Sequence, residues 1–200
     1  MPAALIASAA GVLGIALNCL LAWPQVARAF RSVEGIALGT IVAGFTGRVL
    51  WSVHALQGSG VDVPLLVGQV PIAIGFALIA FLVGRARPEL RVRLLLTLLS
   101  ILVVVVGTSL LSPAAVAAAA VVVTAVINLP QMVRVIRRPD SAAGVSAAMY
   151  WLTAAASASW IVYGALSGDW TIPLPHLLLL PTGVITALAV QRSRPESAAQ

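Results

Sequence analysis

The sequence predicts an all-α polytopic membrane protein in which seven transmembrane helices form two parallel three-helix bundles joined by a linker helix. Three observations lead to this fold class. The 200 residues are 60% hydrophobic and only 9% charged, with a mean hydropathy of +1.05, a composition typical of integral membrane proteins. A proline–glutamine pair and its surroundings occur twice. Arginines are almost confined to every second loop between the apolar stretches.

The duplicated segment is recognised by its polar and turn-forming residues. Pro24-Gln25 returns as Pro130-Gln131. Matches among Ala, Val and Leu carry no weight in a chain this apolar, so the following residues carry the case for an internal repeat. In the same order, Arg28, Arg31, Gly35, Trp51, Pro64 and Pro71 correspond to Arg134, Arg137, Gly144, Trp160, Pro173 and Pro181.

The individual helices follow from the length that a bilayer requires, about 20 mostly apolar residues. The first should end at Pro24 and the fifth at Gln131. The apolar stretch from Leu94 to Ile127 is too long for one span, and Ser112-Pro113 divides it. A flexible turn is predicted at 58–60. The expected spans are about 4–24, 36–57, 63–84, 94–111, 114–131, 146–166 and 170–190.

The arginine distribution predicts the orientation. Of the twelve basic residues, all arginine, eleven lie in the first, third and fifth loops and the C-terminal segment, whereas Asp62 and Asp169 occupy the second and sixth loops. Cytoplasmic loops hold the excess of Arg, so we expect the N-terminus outside and the C-terminus in the cytoplasm, in the plasma (inner) membrane. Two three-helix units joined directly would be inverted, and the fourth helix makes them parallel.

The chain is therefore divided into a first repeat (1–84), a basic linker with the fourth helix (85–112), a second repeat (113–191) and a polar tail (192–200). The net charge of +6 is explained by orientation, and no nucleic-acid partner is expected. Cys19 is the only cysteine, which excludes a disulfide framework or a cysteine metal cluster. HExxH, GxSxG and glycine-rich phosphate motifs are absent, so we expect no enzyme, cofactor or metal.

These motifs resemble the PQ-loop superfamily, and the 3+1+3 layout is similar to the SWEET sugar transporters, each repeat resembling a bacterial SemiSWEET. The resemblance covers about residues 5–191. It implies alternating access around a substrate site near the bilayer midplane, between the two repeats. The residues that carry it are Trp23-Pro24-Gln25 with Leu50-Trp51-Ser52-Val53-His54, and Leu129-Pro130-Gln131 with Ser159-Trp160-Ile161-Val162-Tyr163-Gly164.

Pro24 and Pro130 are the candidate hinges that the resemblance implies. A proline inside a spanning helix removes a hydrogen bond and frees a carbonyl one turn earlier. The neighbouring Gln25 and Gln131 can satisfy those carbonyls. The alternative is that each proline only marks the end of a helix.

Asn18 lies one heptad before Gln25 on the same helical face, and its repeat counterpart is Thr124. Asn128 lies between Thr124 and Gln131. Polar side chains one or two turns apart can line a substrate path, and Asn18 and Asn128 are candidates for this role. They can equally hydrogen-bond between helices.

Trp51 and Trp160 are equivalent by repeat, and the resemblance implies that they face each other across the cavity, where an indole stacks on a sugar ring. The alternative, an interfacial belt tryptophan, fits Trp170 better. On the third helix of each repeat, SemiSWEETs carry an asparagine. Gln69 keeps a carboxamide at that position, whereas Leu178 does not. His176 either replaces it or is a neutral histidine bonded to a backbone carbonyl.

Arg48 is the exception to the charge pattern. It lies inside the second span, three residues before Trp51 and on the same face, and its repeat counterpart is Ser157. A charge inside the membrane is a functional-site hypothesis by default. Arg48 either binds an anionic group of the substrate or pairs with backbone carbonyls of a kinked neighbour.

The leading functional interpretation is facilitated, bidirectional uniport of a small sugar. An organic-anion or amino-acid transporter of the same superfamily is the first alternative, and a membrane receptor or scaffold is the second. The expected partners are a small-molecule substrate and the lipid bilayer, and a homo-oligomer is compatible with this class. The transport interpretation requires one cavity where the following side chains converge: Asn18, Arg48, Trp51, Gln69, Asn128 and Trp160.

Overall fold

The computed structural model describes residues 2–57, 61, 63–168 and 170–193, and within them every regular element is helical. The expected turn at 58–60, Asp62, Asp169 and the tail from 194 onward lie outside the described residues. The predicted all-α fold class is confirmed. The α-helices are α1 (Pro2–Leu21), α2 (Trp23–Ala29), α3 (Leu38–Gln57), α4 (Val63–Ala86), α5 (Arg91–Leu111), α6 (Pro113–Val126), α7 (Leu129–Arg137), α8 (Ala147–Ser167) and α9 (Pro173–Arg192).

Five stretches of the described chain are long and apolar enough to cross a bilayer, and they contain every α-helix except α3 and α8. Both of these have sufficient length, at 20 and 21 residues. Their sequences are less apolar because they include polar and aromatic residues, among them Arg48 and His54 on α3 and Ser157 on α8. Such groups are tolerated within a membrane protein where they face the interior of the bundle.

The expectation that the first and fifth spans end at their Pro-Gln pairs is wrong. The chain turns at Ala22 and then continues as α2, and it turns again after Val126 and continues as α7. Pro24 and Pro130 lie in the first turn of these short helices, where a missing N–H breaks no helical hydrogen bond. Each proline therefore lies at the start of a new helix. Arg28 is on α2, and Arg134 and Arg137 are on α7, rather than in a loop.

The long apolar stretch from Leu94 to Ile127 is divided at Ser112-Pro113, as the sequence predicts. The helix α5 ends at Leu111 and α6 begins at Pro113. Between them, the hydroxyl of Ser112 accepts a hydrogen bond from the backbone N–H of Ala115 at 3.1 Å. A serine N-cap followed by proline is a typical helix start, since the cap satisfies a donor that the first turn leaves unpaired.

Six helical segments close a ring around the centre of the molecule. In order around the ring, α1 packs against α4, α4 against α3, α3 against α6, α6 against α9, α9 against α8, and α8 against α1. The helix α5 lies outside, against α3 and α6, and Ile101 is its only buried residue. Below, the first half means α1–α4 and the second half means α6–α9. Every side chain that faces the ring's centre can therefore contribute to one internal site.

Candidate functional site

A cavity of about 270 Å³ lies inside the ring. It occupies the end of the bundle where α1, α4 and α9 begin and where α3 and α8 end, away from the arginine-bearing loops. The side chains of α1, α3, α4, α6, α8 and α9 all reach it. Its lining consists of Ser8, Gly11, Val12, Ile15, Asn18, Arg48, Trp51, Leu65, Gln69, Thr124, Trp160, Tyr163, Ile172 and His176.

Five of the six residues expected to converge do line this cavity, and Asn128 does not. The side-chain amide of Asn128 is buried elsewhere and lies 3.4 Å from the hydroxyl of Thr182 on α9. It therefore connects α9 to the turn before α7, which is the interhelical role that polar residues commonly have in membranes. His176, the additional candidate, also lines the cavity.

Arg48 and Gln69 form a polar pair on one wall of the cavity. Nη1 of Arg48 donates to Oε1 of Gln69 at 2.9 Å, which joins α3 to α4. The Arg48 side chain is only 6% exposed, and its Nε–H has no hydrogen-bond partner. The partner of Arg48 is thus a neutral carboxamide, and the expected alternative of pairing with backbone carbonyls is not what the structure has.

Trp51 and Trp160, the two tryptophans that correspond by repeat, line the same cavity in different hydrogen-bonding states. Nε1 of Trp51 donates to the hydroxyl of Thr124 at 2.9 Å. Nε1 of Trp160 is buried without a partner. Thr124 corresponds to Asn18 in the repeat, so the equivalent partner of Trp160 would be Asn18. That hydrogen bond is not formed.

The wall formed by α1 and α8 depends on two glycines. A Cβ at Gly14 would lie 2.9 Å from Cε2 of Trp160, and one at Gly11 would lie 3.0 Å from Cδ2 of Tyr163. These aromatic rings therefore pack directly on the α1 backbone, as small residues permit in membrane helices. The two rings also meet each other edge to face, with centroids 5.6 Å apart.

His176, on α9, stacks against Trp160. Its ring is nearly parallel to the indole of Trp160, at an interplanar angle of 18° and a centroid distance of 6.4 Å. Its Nδ1 lies 3.2 Å from the hydroxyl of Ser157. Ser157 corresponds to Arg48 in the repeat. A polar contact therefore joins α3 to α4 in the first half, between Arg48 and Gln69, and α8 to α9 in the second half, between Ser157 and His176. Leu178 is 39% exposed and does not line the cavity.

The glutamines of the Pro-Gln pairs bind the opposite half of the protein rather than the carbonyls freed by the kinks. Gln25 donates from Nε2 to the carbonyl of Gly144 at 2.9 Å and accepts at Oε1 from the N–H of Ser146 at 2.9 Å. Gln131 donates to the carbonyl of Gly35 at 3.1 Å and accepts from the N–H of Ala37 at 2.8 Å. We call these two pairs of hydrogen bonds the glutamine clamps.

One glutamine clamp joins α2 to the loop that precedes α8, and the other joins α7 to the loop that precedes α3. These loops touch, because a Cβ on Gly144 would collide with the backbone carbonyl oxygen of Glu34. Gly35 has a φ of 75°, a conformation that glycine adopts without strain. The next layer towards the cavity is closed by Phe76 and Tyr150, each 2% exposed. A void of only about 10 Å³ remains there, so the arginine-bearing end of the bundle is sealed.

Several lining residues were not among the predicted site residues. Thr124 entered only as the repeat counterpart of Asn18, although that correspondence was the signal that could have identified it. Tyr163 follows Trp160 by three residues and hence shares its helical face. Ser8 gives no sequence signal.

Among the described residues, no group of His, Cys, Asp and Glu is arranged to hold a metal ion. Of the acidic residues that the structure describes, Glu34, Glu89 and Asp140 all belong to the arginine-bearing segments, and none lines the cavity. The described lining therefore contains one permanent positive charge, on Arg48, and no carboxylate.

No family model matches the sequence, and no curated protein matches it. Among solved structures, the chain is similar to the 3.7 Å resolution structure of a eukaryotic SWEET transporter, with a TM-score of 0.68 and 17% sequence identity. The similarity covers 96% of this chain and 99% of that one. Identity this low shows the fold alone. The protein is therefore an integral membrane protein with the fold of a SWEET transporter.

Proposed function

We propose that this protein is a membrane transporter that carries a small sugar downhill, in either direction, by alternating access. The observation that supports this proposal is the convergence of side chains from both halves on one internal cavity. Its volume of about 270 Å³ lies just below the range of about 300–1,000 Å³ for drug-sized ligands, which suits a solute of monosaccharide size. Two tryptophans, Trp51 and Trp160, belong to the lining, where an aromatic side chain can pack against a sugar ring, and Asn18 and Gln69 supply polar atoms for hydrogen bonds.

In this proposal the structure corresponds to a state open towards the N-terminal end of α1, which the arginine pattern assigns to the outside. Transport then requires the sealed end to open and the cavity end to close. The hinges are the breaks between α1 and α2, at Ala22, and between α6 and α7, before Leu129, because each interrupts a helix next to the sealed layer. The glutamine clamps must release as the two halves rock, since they join one half to the other.

Uniport is proposed because no described carboxylate faces the cavity to carry a proton. Histidine titrates near physiological pH, which leaves His176 and His54 as the groups to test. His54 lies in the last turn of α3, edge-on to Trp51 with centroids 5.7 Å apart.

The second candidate function is transport of an organic anion or an amino acid. The observation that favours it is Arg48, a cation in the cavity wall with only a neutral partner. A receptor or scaffold, the third class, does not require polar groups from six helices to meet in one cavity.

The deciding experiment is uptake into proteoliposomes that contain the purified protein, with a panel of labelled sugars, amino acids and organic acids. We expect saturable uptake that stops when the inside and outside concentrations are equal. A second arm imposes a proton gradient without a substrate gradient. Accumulation that a protonophore abolishes would contradict uniport, and His54 and His176 would then be mutated first. Absence of uptake of every solute in the panel would favour the scaffold.

A further inference from the structure

Two buried hydrogen-bond donors of the cavity lining have no acceptor among the residues that the structure describes. They are Nε–H of Arg48 and Nε1–H of Trp160. Since Oε1 of Gln69 already accepts from Arg48, the remaining capacity of that carboxamide includes its two N–H donors. Buried donors without partners are rare in folded proteins, and each one calls for an explanation, such as a functional role.

The charge of the cavity points in the same direction. Arg48 is 6% exposed, and a charge inside the membrane is costly unless it is paired or faces water. Its one hydrogen-bonded partner, Gln69, is neutral. No acidic residue in the described part of the lining offsets the charge. A ligand with one negative charge would therefore neutralise the site when it binds.

The guanidinium is positioned to bind such a ligand on one side. Its Nη1 donates to Gln69, and Nε–H, one prong of a guanidinium fork, has no acceptor among the described residues. Carboxylates match this fork with two parallel hydrogen bonds. A carboxylate is an acceptor only and carries the opposite charge, so it can pair with both an unpartnered donor and the guanidinium, whereas a sugar hydroxyl is neutral.

The rest of the lining combines aliphatic and aromatic side chains with the polar atoms of Asn18 and His176. From the charge of Arg48, the two unpartnered donors and the monosaccharide-sized cavity of the proposed transporter, we infer that the substrate is a sugar acid, a monosaccharide-sized hydroxylated solute whose single carboxylate binds Arg48. The inference rests on the proposed transport function and narrows its substrate class.

A phosphorylated sugar shares the anionic chemistry, but it fits less well. A phosphate monoester carries close to two negative charges at neutral pH, and only one permanent cation lines the described cavity. Three labelled probes separate the possibilities, because they share one ring and differ at a single carbon: D-glucose, D-glucuronate and D-glucose 6-phosphate.

The test measures initial uptake of these probes by the full-length protein in proteoliposomes. We expect uptake of D-glucuronate to exceed that of D-glucose by roughly 10-fold or more, as charge-assisted hydrogen bonds allow. Arg48→Met should abolish this preference, and Arg48→Lys should retain only part of it because the fork is lost. Arg93→Met, the same substitution at an exposed position of α5, is the matched control and should leave uptake unchanged.

A second readout uses only the wild-type protein, so it does not depend on whether the Arg48 variants fold. Uniport of a monoanion moves charge, so an inside-positive potential set with potassium and valinomycin should raise accumulation of D-glucuronate and leave D-glucose unaffected. Competition by a set of other hexuronates and aldonates shows whether any sugar acid binds.

The outcomes separate the inference from the transport proposal. Equal or better uptake of D-glucose, with Arg48→Met unaffected, would overturn the sugar-acid inference and leave sugar transport standing. Preference for D-glucose 6-phosphate, or uptake of other solutes with no competition from any sugar acid, would also overturn it. Uptake of no solute at all would instead remove the proposed function.

Discussion

Oε1 of Gln25 accepts a hydrogen bond from the backbone N–H of Ser146 at 2.9 Å, and this contact joins α2 in the first half to the start of α8 in the second half. Oε1 of Gln131, in the second half, likewise accepts from the backbone N–H of Ala37 in the first half. Both glutamines are at least 94% buried. The sealed end of the bundle is thus held by two side chains, each of which reaches across to the other half.

Gln25→Glu and Gln131→Glu should weaken this seal. A carboxylate still accepts from the N–H of Ser146 or Ala37, but it cannot donate to the carbonyl of Gly144 or Gly35, and each lost hydrogen bond costs about 0.5–1.5 kcal/mol. We expect a cysteine placed at Thr40, in the sealed layer, to react roughly fivefold faster with a reagent supplied from that end. The measurement uses a Cys19→Ala background. Gln191→Glu, at an exposed position, is the control, and equal rates in all variants would contradict the role of the clamps.

Gly14→Ala should destabilise the protein, because the added Cβ would lie 2.9 Å from the indole of Trp160. Overpacking of this kind costs about 1–3 kcal/mol. Gly107→Ala on α5 is the matched control, since nothing lies within 4 Å of its Cβ position, and replacing glycine within a helix stabilises it by about 0.5–1 kcal/mol. Thermal unfolding in detergent should show opposite shifts for the two variants.

Trp51→Phe and Trp160→Phe should differ in stability although the two tryptophans correspond by repeat. Removing Nε1 of Trp51 leaves the hydroxyl of Thr124 without its donor, at a cost of about 1 kcal/mol. Removing Nε1 of Trp160 breaks no hydrogen bond, so Trp160→Phe should not lose this contribution to the free energy of unfolding. Uptake should fall in both variants if the indoles contact the substrate. Equal destabilisation of the two would show that Trp160 has a structural partner after all.

The orientation can be checked by labelling single cysteines in intact cells. Ser167, exposed at the end of α8, should react as cysteine with an impermeant maleimide, because the arginine pattern predicts that this end is outside. Ser32, in the loop between α2 and α3, should not react until the cells are permeabilised. The reverse pattern would invert the topology and assign the cavity to the cytoplasmic side.

The fold class could be predicted because its signals are local and strong. Composition, apolar length and the serine–proline boundary at Ser112-Pro113 each depend on a few neighbouring residues, and all agree with the structure. The helix ends at Pro24 and Pro130 were wrong because proline is compatible both with stopping a helix and with starting the next one. The buried contacts around these turns, with Ala22 fully buried, favour the second outcome.

The site was predicted in part, and the missing part depends on which way each helix faces. Arg48 and Trp51 could be placed on one face from their spacing, and both line the cavity. Asn128 could not be placed, because the turn just before α7 changes the helical phase between Thr124 and Gln131. The reach of Gln25 to Gly144 spans the two halves, and a contact so distant along the chain leaves no trace in local sequence.

Arg48 and Ser157 occupy corresponding positions of the sequence repeat, yet only one of them is charged. Two identical three-helix units that assembled as a symmetric homodimer would have to place an arginine at both positions, opposite each other, and the repulsion would favour a dianion or an empty site. Joining the two units through α5 removes that constraint, because each copy can then change alone. For the proposed substrate site, a fusion of two such units would do more than fix the stoichiometry: it would allow a single charge and a defined polarity, so that a bound ligand has one orientation instead of two.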